Sequence, residues 1–166
     1  MIYFLSIGTN LGNRRKNLAH ALSLLEKEGI EILKVSSLYE TQPVDIPSQP
    51  WFYNQVIEIR SDVNPMAFLA LIKKIESKTG RMDHSYKGPR IIDIDILMVE
   101  KTVVQTKELK IPHPRMEKRN FVLLPFVEIS PDTIHPILNE KIIDLLNKSN
   151  DHSIVKQVKV SEGNTK

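Results

Sequence analysis

The chain has 166 residues, enough for one domain with a single core, and its 41% hydrophobic and 26% charged residues are ordinary for a soluble globular protein. It contains no cysteine, which excludes disulfides, thiolate metal sites and cysteine nucleophiles and fits a reducing, cytoplasmic setting. A net charge of +3 and a sequence pI of about 9.0 admit an anionic small molecule or a nucleic acid and choose neither, and no apolar run is long enough to cross a bilayer.

The opening MIYFLSIGTNLGN has neither a basic leader nor a small-residue cleavage site, so it reads as a first strand ended by Gly8. Residues 9–29 then read as a helix, with Leu18, Leu22 and Leu25 at helical spacing and Gly29 as the stop. Residues 30–41 form a second extended segment, and the proline-rich QPVDIPSQPW after it is a stiff irregular loop. FYNQVIEIRS alternates as a strand. NPMAFLALIKKIESKTG is a second helix, with Asn64 as N-cap, Pro65 at the first helical position and Gly80 past the end. A polar loop over 81–90 leads into the strand IIDIDILMVE.

Strand, helix, strand, strand, helix, strand is the split βαβ order of a ferredoxin-like α+β domain, an antiparallel sheet with helices packed on it. The C-terminal additions comprise a short hairpin, a helical centre within IPHPRMEKRNFVLLPFVEISP, a weak helix near KIIDLLNKS and a frayed end over 160–166. With no internal repeat and no low-complexity linker, residues 1–166 read as one domain.

The chemistry concentrates in KGPRIIDIDIL, residues 87–97. A strand turns residues i and i+2 to one face, so Asp93 and Asp95 point the same way while Ile92, Ile94 and Ile96 supply an apolar side. The bland alternative is a half-buried edge strand with its acids in water. Paired carboxylates suit hard cations such as Mg²⁺, shared with phosphates, and two such ions can clamp both sides of a phosphoryl displacement. Arg90, Lys87 and Arg81 put positive charge at the same strand mouth, and Arg90 has the fork geometry for phosphate. A second basic group, His113, Arg115, Lys118 and Arg119, precedes Phe121; taken singly these are an ordinary solvated surface. Thr41 and Asn54 offer hydrogen bonds, and Trp51, Phe52 and Phe121 offer flat faces for a planar heterocycle, although a strand phenylalanine is more often core. GTNLGN matches no phosphate-loop pattern and reads as a strand-to-helix turn. Lys73 and Glu76, one turn apart on the second helix, are either a surface pair or a nucleotide-facing one.

Taken together, SIGTNLGN, VSSLYETQPV, KGPRIIDIDIL and IPHPRMEKRNFVLLPFVEISP resemble, in this order, the blocks of the 6-hydroxymethyl-7,8-dihydropterin pyrophosphokinases of folate biosynthesis. The resemblance implies a ferredoxin-like fold and transfer of pyrophosphate from ATP to the pterin hydroxymethyl group, giving AMP. It implies that Asp93 and Asp95 hold two Mg²⁺ ions. It assigns Arg90, Asp95, His113 and Arg119 to catalysis, and Lys73, Glu76, Arg81, Arg90, Ile96, His113 and Arg119 to ATP. Phe52 and Phe121 would sandwich the pterin, Asn54 would bond it, and Thr41, Pro43 and Val44 would touch its edge. The sequence departs from the family pattern at Lys87, where an aromatic commonly precedes Gly-Pro-Arg, earlier in that loop, where Asp83 and His84 stand and the family commonly has another arginine, and at Pro114, where many relatives have tyrosine.

In the implied mechanism Arg90, Arg119 and His113 neutralise phosphate oxygens, no side chain stands out as general base beyond Asp95, and the loop over 81–90 closes to exclude water. The partners expected are ATP and the pterin, with no nucleic acid and no membrane, for a monomer in the cytoplasm. Two readings compete: an RNA-binding module, which shares this strand order but would need an RNP-type pattern that is missing here, and a non-catalytic small-molecule regulatory domain.

Overall fold

The computed structural model describes residues 1–81 and 87–160. Asp83 and His84 of the loop over 81–90, and residues 161–166 of the end expected to fray over 160–166, lie outside the described residues. The expected unit is present as β1 (Ile2–Thr9), α1 (Arg14–Lys27), β2 (Glu31–Val35), β3 (Tyr39–Thr41), β4 (Phe52–Arg60), α2 (Pro65–Lys78) and β5 (Asp93–Val99). The strands run in the order β5-β1-β4, with β2 and β3 both on the far side of β4 and every pairing antiparallel. After it come a hairpin of β6 (Val104–Gln105) and β7 (Lys110–Ile111), a 3-10 turn at Met116–Lys118, then α3 (Asn120–Ile129) and α4 (Ile142–Lys148). β8 (Val155–Gln157), which no sequence pattern announced, adds to β3.

Besides shifts of one or two residues at strand ends, two boundaries differ from the sequence reading, each for a local reason. The single extended segment over 30–41 is broken at Ser36, whose hydroxyl accepts the Val56 N–H at 3.0 Å in place of a ladder carbonyl. The first helix starts at Arg14 rather than within GTNLGN, because the Asn13 side chain accepts the Lys16 N–H and caps it there. GTNLGN is thus the strand-to-helix turn expected of it.

Alternation sorts the strands into two faces. Tyr3, Leu5, Ile7, Ile57, Ile59, Ile94 and Ile96 pack against Leu18, Ala21 and Leu25 of α1 and Phe68, Ile72 and Ile75 of α2. Phe4, Val56, Leu97 and Met98 face the other way, under Val122, Leu123 and Phe126 of α3 and Ile142 and Leu145 of α4. This second cover is partial: Phe126 sits on Phe4 at a ring separation of 4.6 Å, while Ser6 and Gly8, further along the same strand face, line an open cleft. β5 also carries a bulge at Leu97, since Phe4 pairs with Met98 but Leu5 pairs with Ile96.

Phe126 is fully buried and holds α3 on the sheet. Phe126→Ala should cost about 3–5 kcal/mol of unfolding free energy. Urea denaturation checks this, and a loss below ~1 kcal/mol would mean that α3 is anchored elsewhere.

Candidate active site

The open half of the sheet face is the floor of the cleft. Antiparallel register sets Asp93, Gly8, Asn54 and Tyr39 in one row across four strands, with Asp95 opposite Ser6 in the next row. Above them lies a solvent-open space of about 560 Å³, walled by Phe52, Phe121, Arg90 and Arg119 and by the loop residues Gln42, Val44, Asp45 and Gln49. Phe52 opens β4 and Phe121 lies in the first turn of α3, so the two rings reach the cleft from different elements.

Gly8 is needed between the acids and the amide. A Cβ at that position would stand 2.5 Å from Asn54 Oδ1. The buried Asn54 side chain donates to Thr41 Oγ1 at 2.6 Å, which holds its carbonyl oxygen over the glycine. Arg14 fixes the start of β4 from behind. It donates to the Trp51 carbonyl at 3.0 Å, pairs with Glu40 at 2.9 Å and stacks on Tyr53. Trp51 lines a separate surface hollow with Arg14, so Phe52 alone of the two aromatics serves the cleft.

The two aspartates have different surroundings. Asp93 lies between guanidinium groups: Arg81 Nη1 donates to Oδ1, and Arg90 Nε stands 3.3 Å from Oδ2. Arg90 is held in turn by the Lys87 and Gly88 carbonyls, at 3.0 and 3.1 Å, and by the Phe52 ring. Asp95 has no ion pair of this kind among the described residues. Burial first, then repulsion from Asp93 and Glu76, push its carboxyl up to about 7 against the pull of Arg119 and Arg81.

Glu76 and Lys73 are not a surface pair. Glu76 is only 4% exposed, and its Oε1 accepts the Ile94 N–H of the edge strand at 2.8 Å and Arg81 Nη1 at 3.1 Å. It fixes the strand that carries both aspartates, while Lys73 is exposed and lines neither cleft. Pro43 is buried under the loop whose neighbours Gln42 and Val44 face the cleft. Arg81 acts from behind Asp93 rather than from a cleft wall.

A second cleft runs along the outer edge of β5. Ile94, Asp95 and Ile96 meet Leu69 of α2, the hairpin residues Lys107, Glu108, Leu109 and Lys110, and His113 with Pro114. The β5 bulge places His113 there, since its N–H donates to the Leu97 carbonyl at 2.8 Å. Its Nδ1 accepts the Arg115 N–H at 3.2 Å, which leaves the ring proton on Nε2. Burial, together with Arg119 and Arg115, pushes its pKa down to about 4 in spite of Asp93. His113 is therefore neutral at pH 7 in the unliganded chain. In that state Nε2 carries a proton that it can donate.

Sequence reasoning missed the polar floor and the loop contacts. Ser6 and Gly8 were findable: they are small residues alternating with Leu5 and Ile7, on the strand face opposite a core face. Asn10 carries no such signal. It is buried, its Nδ2 donates to Gln49 Oε1 and to the Pro50 carbonyl, and its Oδ1 accepts the Arg90 N–H at 2.9 Å.

The fold and cleft define a ferredoxin-like α+β domain in which a half-covered sheet presents an acid pair beside an aromatic-walled slot. Residues 4–131 match the family model of 7,8-dihydro-6-hydroxymethylpterin-pyrophosphokinase (HPPK), and the chain belongs to that family. It is 40% identical over 139 residues to the 2-amino-4-hydroxy-6-hydroxymethyldihydropteridine pyrophosphokinase of Aquifex aeolicus, covering 84% of this chain and 86% of that protein. It is also 40% identical over 129 residues to the Bacillus subtilis protein of the same name, 77% of each chain. The folic acid synthesis protein fol1 of Pneumocystis carinii is 39% identical over 91% of this chain, which spans only 20% of that protein's length. A crystal structure of wild-type Plasmodium falciparum HPPK-DHPS with pteroate superposes on 89% of this chain and 42% of its own with a TM-score of 0.71, at 20% identity, and shares the fold.

The raised Asp95 pKa makes a stability prediction. A carboxyl whose folded pKa lies above its unfolded value adds stability when protonated and loses it as pH rises through about 7. Asp95→Asn should therefore melt higher than the parent, with a gap that widens from pH 5 to pH 8 in chelator, at about 2–4 °C per kcal/mol recovered. An equal gap at both pH values would show that Asp95 is ionised throughout.

Proposed function

We propose that the chain transfers pyrophosphate from ATP to the hydroxymethyl oxygen of 6-hydroxymethyl-7,8-dihydropterin, releasing AMP and the pterin diphosphate. One observation carries this reading: the slot over the sheet and the cleft at its edge meet at one carboxylate, Asp95. The slot suits a flat heterocycle with amide edges, held between Phe52 and Phe121 and read by Asn54 and Thr41. The edge cleft suits a nucleotide, with Ile96, Leu69 and Leu109 for a base and Lys107, Lys110 and His113 for its anionic part. The groups that would react then meet at Asp93 and Asp95.

The residues fit two Mg²⁺ ions. Asp93 and Asp95 are hard oxygen donors on one face, and among the described residues no group of three or more acids or histidines could hold a metal alone. That suits an ion whose remaining ligands are phosphate oxygens and water. When bound, Mg²⁺ would offset phosphate charge and stabilise the attacking and leaving oxygens of an in-line displacement. The protein's part is placement. Phe52, Phe121 and Asn54 orient the hydroxymethyl group towards the acids; Arg90 and Arg119 face the transferring phosphates with permanent charge; neutral His113 donates from Nε2. With little covalent work left to side chains, alignment and electrostatics dominate.

The reading goes with a monomer in the cytoplasm acting on small molecules. Among the described residues no helix is long and apolar enough to cross a membrane. RNA-recognition domains bind on the sheet face away from their helices; here α3 and α4 cover part of that face and the slot takes the rest.

AMP formation from ATP and Mg²⁺, with and without the reduced pterin, tests the proposal. The parent should form AMP only with the pterin, and Asp95→Ala should lower kcat by about 100- to 1,000-fold. Gly8→Ala should raise the pterin KM by pushing Asn54 into the slot. AMP made equally well without the pterin, or no AMP at all, would sink the reading.

A further inference from the structure

We propose that residues 151–157 are a strap that sets the width of the slot, with Asp151 as its positioning residue. This rests on the reading of the slot as the pterin site. The strap lies beyond residues 4–131, the part of the chain that the family model matches.

One wall of the slot is the first turn of α3, which bears Phe121 and follows Arg119. That helix has no local cap, because Arg119 occupies the N-cap position and makes no side-chain capping bond. Asp151, 31 residues away, does the work: its Oδ2 accepts the Asn120 N–H at 2.7 Å, and its carbonyl accepts Asn120 Nδ2 at 3.0 Å. Its other oxygen accepts both the backbone N–H and the hydroxyl of Ser153, so the carboxylate has a fixed orientation.

The opposite wall is the end of β3 and the start of the proline-rich loop. Gln42 N–H donates to the Ile154 carbonyl at 3.0 Å, Ile154 N–H returns to Gln42 Oε1 at 3.3 Å, and β8 pairs Val155 with Thr41. Asp151 and Ile154 are three residues apart, a reach of about 10–11 Å at full extension. The two walls therefore cannot separate beyond that reach without breaking one end of the strap. The far end of α3 is tied to the same sheet edge by Glu128, which accepts from Tyr39 Oη at 2.6 Å and from Ser37 N–H at 2.8 Å. Asp151 supplies the tie at the end that borders the slot. β8 itself contributes little to the core, since Lys156 and Gln157 are exposed, so its contact with β3 matters for position rather than burial.

The test uses the full chain with Asp151→Ala and Asp151→Asn, the second keeping the size and one acceptor for Asn120. KM values for pterin and ATP come from pterin-dependent AMP formation, and amide exchange is followed across the chain. Asp151→Ala should raise the pterin KM about tenfold and the ATP KM, through Arg119, by no more than about threefold, with Asp151→Asn restoring most of the loss. Exchange should quicken at both 41–44 and 120–123 while α1 and α2 keep their protection. Where Asp151→Ala fails to fold, Asp151→Asn gives the same pattern with a smaller shift. Equal rises in both KM values, no change in either, or faster exchange at one wall only would overturn the strap. A parent that forms no pterin-dependent AMP would fail the functional reading instead, and the exchange pattern would still decide whether the walls are linked.

Discussion

Where Phe126 lies on Phe4, the covered half of the sheet ends, and the site depends on that boundary. A ferredoxin-like sheet with two helices has one face left to the solvent, and apolar residues there would need burial. Here α3 and α4 bury Phe4, Val56, Leu97 and Met98, and the cover stops one alternation short of Ser6. Beyond that line the same strands carry Ser6, Gly8, Asn54, Asp93 and Asp95, a floor that can be left wet. The edge of the cover is also useful in itself, because the first turn of α3 ends it and brings Arg119 and Phe121 over the open floor.

The charge arrangement follows from the same strand. Asp93, Asp95 and Glu76 converge on the start of β5, more negative charge than a half-buried site tolerates without partners. Arg81 and Arg90 balance Asp93, and Glu76 is bound into the backbone of the edge strand, which leaves Asp95 as the residual acid. Asp95 is also the residue that lines both clefts, where the proposed substrates meet.

Much of this was legible in the sequence because period-two alternation and turn chemistry are local. IIDIDIL announced a strand with two acids on one face, and Asn64-Pro65 and Gly80 bounded α2 as expected. The roles of Glu76 and His113 were not legible. Whether a helix glutamate is a surface charge or a buried acceptor depends on which strand N–H lies beneath it, and that is a matter of packing. The neutrality of His113 depends first on its burial under a strand bulge and then on Arg119 and Arg115 beside it, and nothing in PHPR shows the bulge. β8 escaped notice because a three-residue strand with two exposed polar side chains has no periodicity to read.

One side chain links the proline-rich loop to the Gly-Pro-Arg corner at residues 88–90. Asn10 bonds Gln49 and Pro50 of the proline-rich loop and the Arg90 backbone of the Gly-Pro-Arg corner, and its own N–H donates to the Arg90 carbonyl. Gln49 Nε2 reaches on to the Lys87 carbonyl, so the proline-rich loop and the arginine corner share one hydrogen-bonded node. A buried node of this kind is satisfied only as a set, and moving either loop alone leaves donors and acceptors unpaired at a cost of about 1–3 kcal/mol each. The loop that edges the slot and the corner that bears Arg90 are therefore held in one arrangement.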